Sequence, residues 1–328
     1  MKIRIIGAGW YGCAIAMFLM GEGHDVTVFE KEDGVFAGAS GANQSRLHLG
    51  FHYPRCAKTR SASLKAHQLF IDTFPNLSTP VPLNIYAIAT DSMIDYRSYL
   101  SVLRESGSPF FEIDPAGFGL TNLEGAVQCP ERLIQQDEAR KFFTEALKDN
   151  VQTHTLVLPT FGDEWDWTID CTFGAFGSEG IALYEPCIMH LYDGPDHMAI
   201  TVMDGPYASI YPWYTGGISL TAVNYTPMGR PETYEEAQQI IKDLTDEKID
   251  QNRAGMESTI KGYVPWFDDQ WKWRSYVTSI RGVPPSRADS RQCIVRSEGR
   301  FIQVQPGKID AIFSAARRVR EIINVQSK

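Results

Sequence analysis

Along the first thirty residues the spacing of apolar positions changes twice. Lys2 to Ile6 alternates and is rich in isoleucine, as a half-buried strand does. Cys13 to Met20 is apolar almost throughout and reads as a helix that stops around Gly21 and Gly23, and Asp25 to Glu30 predicts a second strand. Farther along, Leu83–Thr90, Cys187–Tyr192, His197–Met203, Ala208–Tyr214 and Gly217–Tyr225 are β-rich runs punctuated by Asp-Gly and Gly-Pro turns. They predict a largely antiparallel sheet. Glu131 to Leu147 is amphipathic at helical spacing, and Glu232 to Met256 reads as one helix dense in Glu, Gln, Lys and Ile. Neither an internal repeat nor a low-complexity tract interrupts this order.

Composition narrows the class. With 328 residues, 43% of them hydrophobic and 22% charged, the chain is long enough for two domains and has the make-up of an ordinary globular protein. Its formal charge of −9 argues against a generally basic, nucleic-acid-binding surface. The six cysteines include no C-x-x-C pair, so neither a zinc site nor a disulfide framework is indicated, and a reducing cytoplasm is the expected location. Glycines at 7, 9 and 12 interrupt the N-terminal apolar run, which argues against a signal peptide. No stretch approaches the roughly 18 apolar residues of a membrane span, so a soluble protein is expected.

The chemistry starts where the first strand meets the first helix. Gly7-Ala8-Gly9-Trp10-Tyr11-Gly12 is a G-x-G-x-x-G pattern at a strand-to-helix turn. Gly7 permits the tight turn, Gly9 lets a pyrophosphate approach the backbone, and Gly12 lets the helix pack closely on the sheet. The helix N-terminus supplies free N–H groups and the positive end of its dipole. Glu30, at the end of the second strand, is placed to accept the hydroxyls of an adenosine ribose and to repel a 2′-phosphate, which favours FAD or NAD over NADP. Residues 34–55 are small and polar, with too little periodicity for an amphipathic helix. Such a stretch suits the approach of a flat ligand.

At Gly38-Ala39-Ser40-Gly41-Ala42-Asn43-Gln44-Ser45-Arg46-Leu47-His48-Leu49-Gly50-Phe51-His52-Tyr53 the chain resembles the D-amino-acid oxidase superfamily of flavoproteins, near glycine and sarcosine oxidases, L-2-hydroxyglutarate dehydrogenase and FAD-dependent glycerol-3-phosphate dehydrogenase. Three later islands are similar to the same family: Gly125 to Pro130 with the following helix, Trp167 to Gly174, and Ile280 to Asp289 with Phe301 to Asp310. Phe173 intervenes where the family usually has a Thr-Gly pair. The resemblance implies an α/β fold: a Rossmann-like FAD-binding domain of residues 1–76, 126–178 and 286–328, and a discontinuous, mainly antiparallel β (α+β) substrate domain of residues 77–125 and 179–285. It implies FAD held by Gly7, Gly9, Trp10, Tyr11, Gly12, Glu30, Lys31, Ser40, Asn43, Ser45, Arg46, Gly174, Gly307, Lys308 and Ile309. Gly307-Lys308 is expected to open the final helix toward the flavin N1 side, where a positive helix end stabilises reduced flavin; a capped strand and a surface lysine is the competing role.

Four residues are candidates for the reaction itself. In relatives an arginine at a turn like that of Arg281 grips the substrate's carboxylate or phosphate, as a guanidinium is suited to do, although Arg287 and Arg291 lie nearby and a plain ion pair is the competing role. His48 and His52, four apart, make a weak metal motif without a third ligand, so no metal is expected. Either suits proton removal from an alcohol or an ammonium group, or simple hydrogen bonding beside the cofactor. His52 stands where glycerol-3-phosphate dehydrogenases tend to have arginine, which argues against a phosphate substrate. Tyr211, with Trp213 and Tyr214, either walls a substrate pocket or packs in a sheet core.

The expected function is FAD-dependent oxidation of a C–N bond in an amino acid or secondary amine, free or carrier-bound, by hydride transfer to flavin N5. Electrons then pass to O2 or another acceptor. A 2-hydroxy-acid dehydrogenase is the alternative, from the likeness of Ser45–Tyr53 to that branch; a non-redox flavin-binding protein and an NAD-dependent dehydrogenase are further ones. The chain has no segment like the Asp-Gly motif of flavin aromatic hydroxylases, which argues against monooxygenation, and no nucleophile elbow for hydrolysis.

Overall fold

The computed structural model describes residues 1–158, 164–176, 181–283, 293–305 and 307–326. Three sheets carry the fold. The first has six strands in the order Ile294–Glu298, Phe301–Gln305, Trp167–Asp170, Lys2–Ile6, Asp25–Phe29 and Val151–Gln152. All neighbours in it are parallel except the terminal hairpin, Ile294–Glu298 with Phe301–Gln305. Strands buried on both faces need covers, and the helices Trp10–Gly21 and Ile312–Gln326, which pack on each other, help to provide one. The first helix is apolar on nearly every side because it is buried nearly all round, from Trp10 to Ala16 without a break.

The second sheet has eight strands, in the order Lys272–Val283, Leu183–Asp193, Ile218–Ala222, Ala208–Pro212, Met198–Met203, Leu83–Ala89, Leu123–Gln128 and Phe111–Ile113. It is antiparallel except where Met198–Met203 runs parallel to Leu83–Ala89. Its own core joins Ile200, Ile210 and Leu220 to Ile249, Met256 and Ile260 from the helix Asp246–Lys261. A small third sheet, Arg46–Leu47, Arg132–Ile134 and Ser78–Pro80, ties the polar segment near residue 46 to the chain just before Leu83–Ala89 and just after Leu123–Gln128. The fold is thus the expected α/β class, with a Rossmann-like sheet and a mainly antiparallel one.

Three sequence expectations change. The run Gly125–Pro130, expected to return to the first sheet, forms most of Leu123–Gln128, which pairs with Leu83–Ala89 and Phe111–Ile113; the boundary at residue 126 therefore falls inside a strand of the second sheet. The helix expected from Glu131 begins only at Gln136, because Arg132–Ile134 is a strand. The single helix expected over 232–256 is two, Tyr234–Lys242 and Asp246–Lys261, with Thr245 capping the second through its hydroxyl, which accepts from Lys248 N–H at 3.3 Å. Thr245→Ala is expected to cost about 1 kcal/mol of stability, read as a lower denaturant midpoint at unchanged slope.

Candidate active site

The glycine turn is built by contact distances. Gly7 has φ +97°, donates its N–H to Phe29 O at 2.7 Å, and would place a Cβ 2.9 Å from the carbonyl oxygen of Cys171. A Cβ on Gly12 would lie 1.9 Å from the Gly7 carbonyl oxygen, and one on Gly9 would lie 2.7 Å from Ser40 Oγ. Gly9 caps the first helix with no side-chain bond, and no acidic residue stands in its first turn. This glycine cradle at a positive helix end, with Ser40 Oγ beside Gly9, fits a pyrophosphate. Glu30 lies beside it, half-buried, its Oε2 accepting Ala8 N–H at 2.7 Å and its Oε1 accepting Glu32 N–H at 3.0 Å. Lys31 is exposed and pairs with Glu32 at 3.4 Å.

The side chains of Trp10 and Tyr11 serve other purposes than the cofactor contact expected of them. Trp10 is 1% exposed, stacks on Phe36 at 4.7 Å between centroids, and donates Nε1–H to Gln136 at 3.1 Å; it is a core residue whose backbone N–H goes to Ser40 Oγ at 3.0 Å. Tyr11 donates its hydroxyl to Lys308 O at 2.5 Å and accepts Gly307 N–H at 3.0 Å, so it pins the C-terminal turn against the first helix.

The small polar segment is shaped by its own side chains. Asn43 donates to the carbonyls of Ala39 and Ser40 at 3.0 and 2.9 Å and accepts Ser45 N–H at 2.8 Å, holding Ser45 at φ +54°. Arg46 then turns inward. Its guanidinium lies 4.2 Å from the Tyr211 ring centroid and donates Nη1–H to Thr201 at 2.6 Å, while buried Nε and Nη2 have no hydrogen-bond partner. Orphaned donors of this kind fit an anionic group such as FAD. At the far side, Gly174 at φ +77° offers its carbonyl to Tyr184 O–H at 2.7 Å, and Phe173, the departure from the family pair, also adopts positive φ.

Gly307, Lys308 and Ile309 lead into a 3-10 turn, Ile309–Ala311, and then the last helix. Lys308 Nζ is taken by protein groups: it bonds Ser63 Oγ, sits 3.3 Å from Asp310, and lies 4.4 Å over the Tyr53 ring. Residues 284–292, including Arg287, Arg291 and Asp289, lie outside the described residues.

The histidines come together with Tyr53. Ring centroids of His48 and His52 are 6.2 Å apart, and Tyr53 is 5.9 Å from one and 5.4 Å from the other. The loop is held from behind by Arg60, which donates to the carbonyls of Tyr53 and Pro54 at 3.0 and 2.9 Å and packs under Gly50 at φ +98°. Among the described residues no group of three or more His, Cys, Asp or Glu could hold a metal ion.

Behind His48 stands Glu131, a residue the sequence pattern does not single out. It is fully buried, and its carboxylate accepts Leu49 N–H and Tyr86 O–H, each at 2.7 Å. Burial alone pushes this carboxyl up, but the His48 imidazole and the two hydrogen bonds outweigh it and hold the group down at about 2. Burial and the nearby carboxylate push the Tyr86 phenol well above its ordinary value, so it stays a donor. Only the long-range pairing of three segments buries Glu131; in sequence it looks like an exposed helix start.

Arg281 is on a strand, Lys272–Val283, rather than at a turn. Its Nε donates to Glu185 at 2.5 Å, and the other oxygen of this buried carboxylate takes Arg230 at 3.0 Å. Tyr211 is fully buried and hydrogen-bonds Asn84 and Arg132 O, at 3.3 and 3.1 Å. It is a core residue under the guanidinium of Arg46 and not an open pocket wall.

Residues 2–150 match the family model described as FAD dependent oxidoreductase. The chain is 36% identical to the FAD-dependent monooxygenase FPY4 of Fusarium mangiferae, across 99% of this chain and 92% of that protein. It is 26% identical to the FAD-dependent monooxygenase kojA of Aspergillus flavus, across 99% and 86%. Among solved structures, glycine oxidase from Geobacillus kaustophilus superposes with a TM-score of 0.75 at 14% identity, covering 98% of this chain and 95% of its own. None of the described helices is long and apolar enough to cross a membrane.

Proposed function

Because this chain belongs to the FAD-dependent oxidoreductases of the D-amino-acid oxidase superfamily, an enzyme family with FAD as cofactor, we propose that it oxidises a C–N bond of an amino acid or secondary amine. When bound, FAD supplies the hydride acceptor, N5. The protein's share is to hold the substrate's C–H toward it and to take a proton from the nitrogen, since an ammonium group has no lone pair with which to assist hydride loss. The cluster of His48, His52 and Tyr53 is the observation that carries this reading: it gathers proton acceptors at the end of the segment that also presents Arg46. In this reading the glycine turn and Glu30 hold the adenosine diphosphate half, and Arg46 the flavin side. Arg281 shares one carboxylate with Arg230, so the trio keeps a net positive charge that suits a substrate carboxylate.

Monooxygenation is the second reading, and the names of the FPY4 and kojA proteins favour it. The Asp-Gly motif that the chain lacks belongs to aromatic hydroxylases alone. In that reaction one oxygen atom of O2 enters the substrate, the other leaves as water, and a reduced nicotinamide supplies two electrons. Anaerobic titration of the yellow enzyme separates the two. Bleaching by amines or N-methyl amino acids without a nicotinamide supports amine oxidation; bleaching only by 2-hydroxy acids moves the substrate to an alcohol. Bleaching only by a nicotinamide overturns both in favour of oxygenation.

A further inference from the structure

Glu131 is a buried charge for which the proposed reaction, as described, has no use. An ionised carboxylate without solvent is expensive unless charge or hydrogen bonds compensate it, and the two donors it has are neutral. Its Oε1 lies 3.5 Å from Nδ1 of His48, longer than a formed hydrogen bond. That nitrogen is sealed from solvent and has no hydrogen-bond partner among the described residues, yet 15% of the His48 side chain remains exposed. One edge of the ring therefore faces the carboxylate, and the open part lies elsewhere on it.

We propose that Glu131 is a positioning residue: its carboxylate keeps the His48 proton on Nδ1, so that Nε2 is the nitrogen left to accept the substrate's proton. This rests on the reading of His48 as proton acceptor. A neutral imidazole has one donor and one acceptor, and a carboxylate can only accept, so the nitrogen facing it must carry hydrogen. When the substrate's ammonium gives up a proton, that proton lands on Nε2, the ring becomes cationic, and the anion behind it stabilises the new charge. The 3.5 Å contact then has reason to shorten, as loose catalytic hydrogen bonds of empty sites do. Among the described residues, His52 and Tyr53 on the same loop, Tyr86 behind Glu131, Arg46 two residues earlier and Lys308 over the Tyr53 ring are titratable or charged groups near the ring. A carboxylate that only pinned the loop through Leu49 would need no histidine beside it.

Imidazole 15N NMR on histidine-labelled, FAD-loaded enzyme tests this without substrate, with His48→Asn identifying the signal. Where the ring is neutral, its hydrogen is expected on Nδ1. In Glu131→Gln the Nδ1–H preference is lost, since the ionised acceptor that faces this nitrogen is gone. An Nε2–H ring in the wild type, or an unchanged Nδ1–H preference in Glu131→Gln, overturns the proposal. Should Glu131→Gln not fold, Tyr86→Phe keeps the charge while removing one bond to it, and must keep the Nδ1–H form. Substrate bleaching, measured separately, should be at least tenfold slower in Glu131→Gln; absence of bleaching in the wild type strikes the amine reading and leaves the NMR test of Glu131 unaffected.

Discussion

Gly12→Ala is expected to emerge from purification without its flavin. The added Cβ would sit 1.9 Å from the carbonyl oxygen of Gly7; it is fixed to Cα and the oxygen is backbone, so neither can rotate away. Overpacking typically costs about 1–3 kcal/mol where side chains can yield; here the helix start has to move off the turn, which also spoils the seat for the pyrophosphate. FAD affinity should drop by at least about a hundredfold, roughly 2.7 kcal/mol. Gly34→Ala is the control, because a Cβ there meets nothing within 4 Å, and it should lie within about 0.5 kcal/mol of the parent. Flavin absorbance per protein and thermal midpoint decide it. Stoichiometric flavin in Gly12→Ala, at an unchanged midpoint, would mean that the turn is looser than its contact distances imply.

Arg281→Ala should keep FAD while losing about 3 kcal/mol of stability and raising KM for an anionic substrate about tenfold. Removing one partner of a buried pair costs about 3–5 kcal/mol, and no more than the lower end applies because the Arg281 side chain is 36% exposed and Arg230 still reaches Glu185. The KM effect follows from the remaining positive charge of the two arginines over one carboxylate. Denaturant unfolding and steady-state kinetics read the two separately. If KM is unchanged, Arg281 is an ion-pair partner and no anchor; if stability is unchanged, Glu185 does not need it.

Much of this is legible in the sequence, for physical reasons that differ by residue. The strand, glycine turn, helix and Glu30 are local: their spacing alone dictates the turn, and the structure has Gly7 at positive φ and Gly12 against it. Local pattern does not reveal which sheet a strand joins, and Leu123–Gln128 lies in the eight-stranded one. Nor does it separate a residue's backbone role from its side chain's: Trp10 stands in the motif, yet its ring belongs to the core with Phe36, Phe70 and Phe143. Glu131 escapes a sequence reading because its partners, Tyr86 and Leu49, lie far along the chain, and Arg60 because its role is to hold the backbone of a loop, at Tyr53, and a distant side chain, Ser106. Thr245 is readable, as a helix-capping threonine with acidic residues after it, but the surrounding helix-rich composition masks the break.

The six-stranded sheet draws neighbours from opposite ends of the chain: Lys2–Ile6 lies beside Trp167–Asp170, which lies beside Phe301–Gln305, and the helix Ile312–Gln326 packs on the helix Trp10–Gly21. A ribosome adding about 5–20 residues per second delivers those last pieces roughly 15–60 s after the first strand has emerged. During that interval the most apolar helix of the protein waits without its cover, and the central strand waits for a neighbour. Contacts this distant in sequence form slowly. Until Phe301–Gln305 has been made, Trp167–Asp170 therefore lacks one of its two neighbours in the sheet.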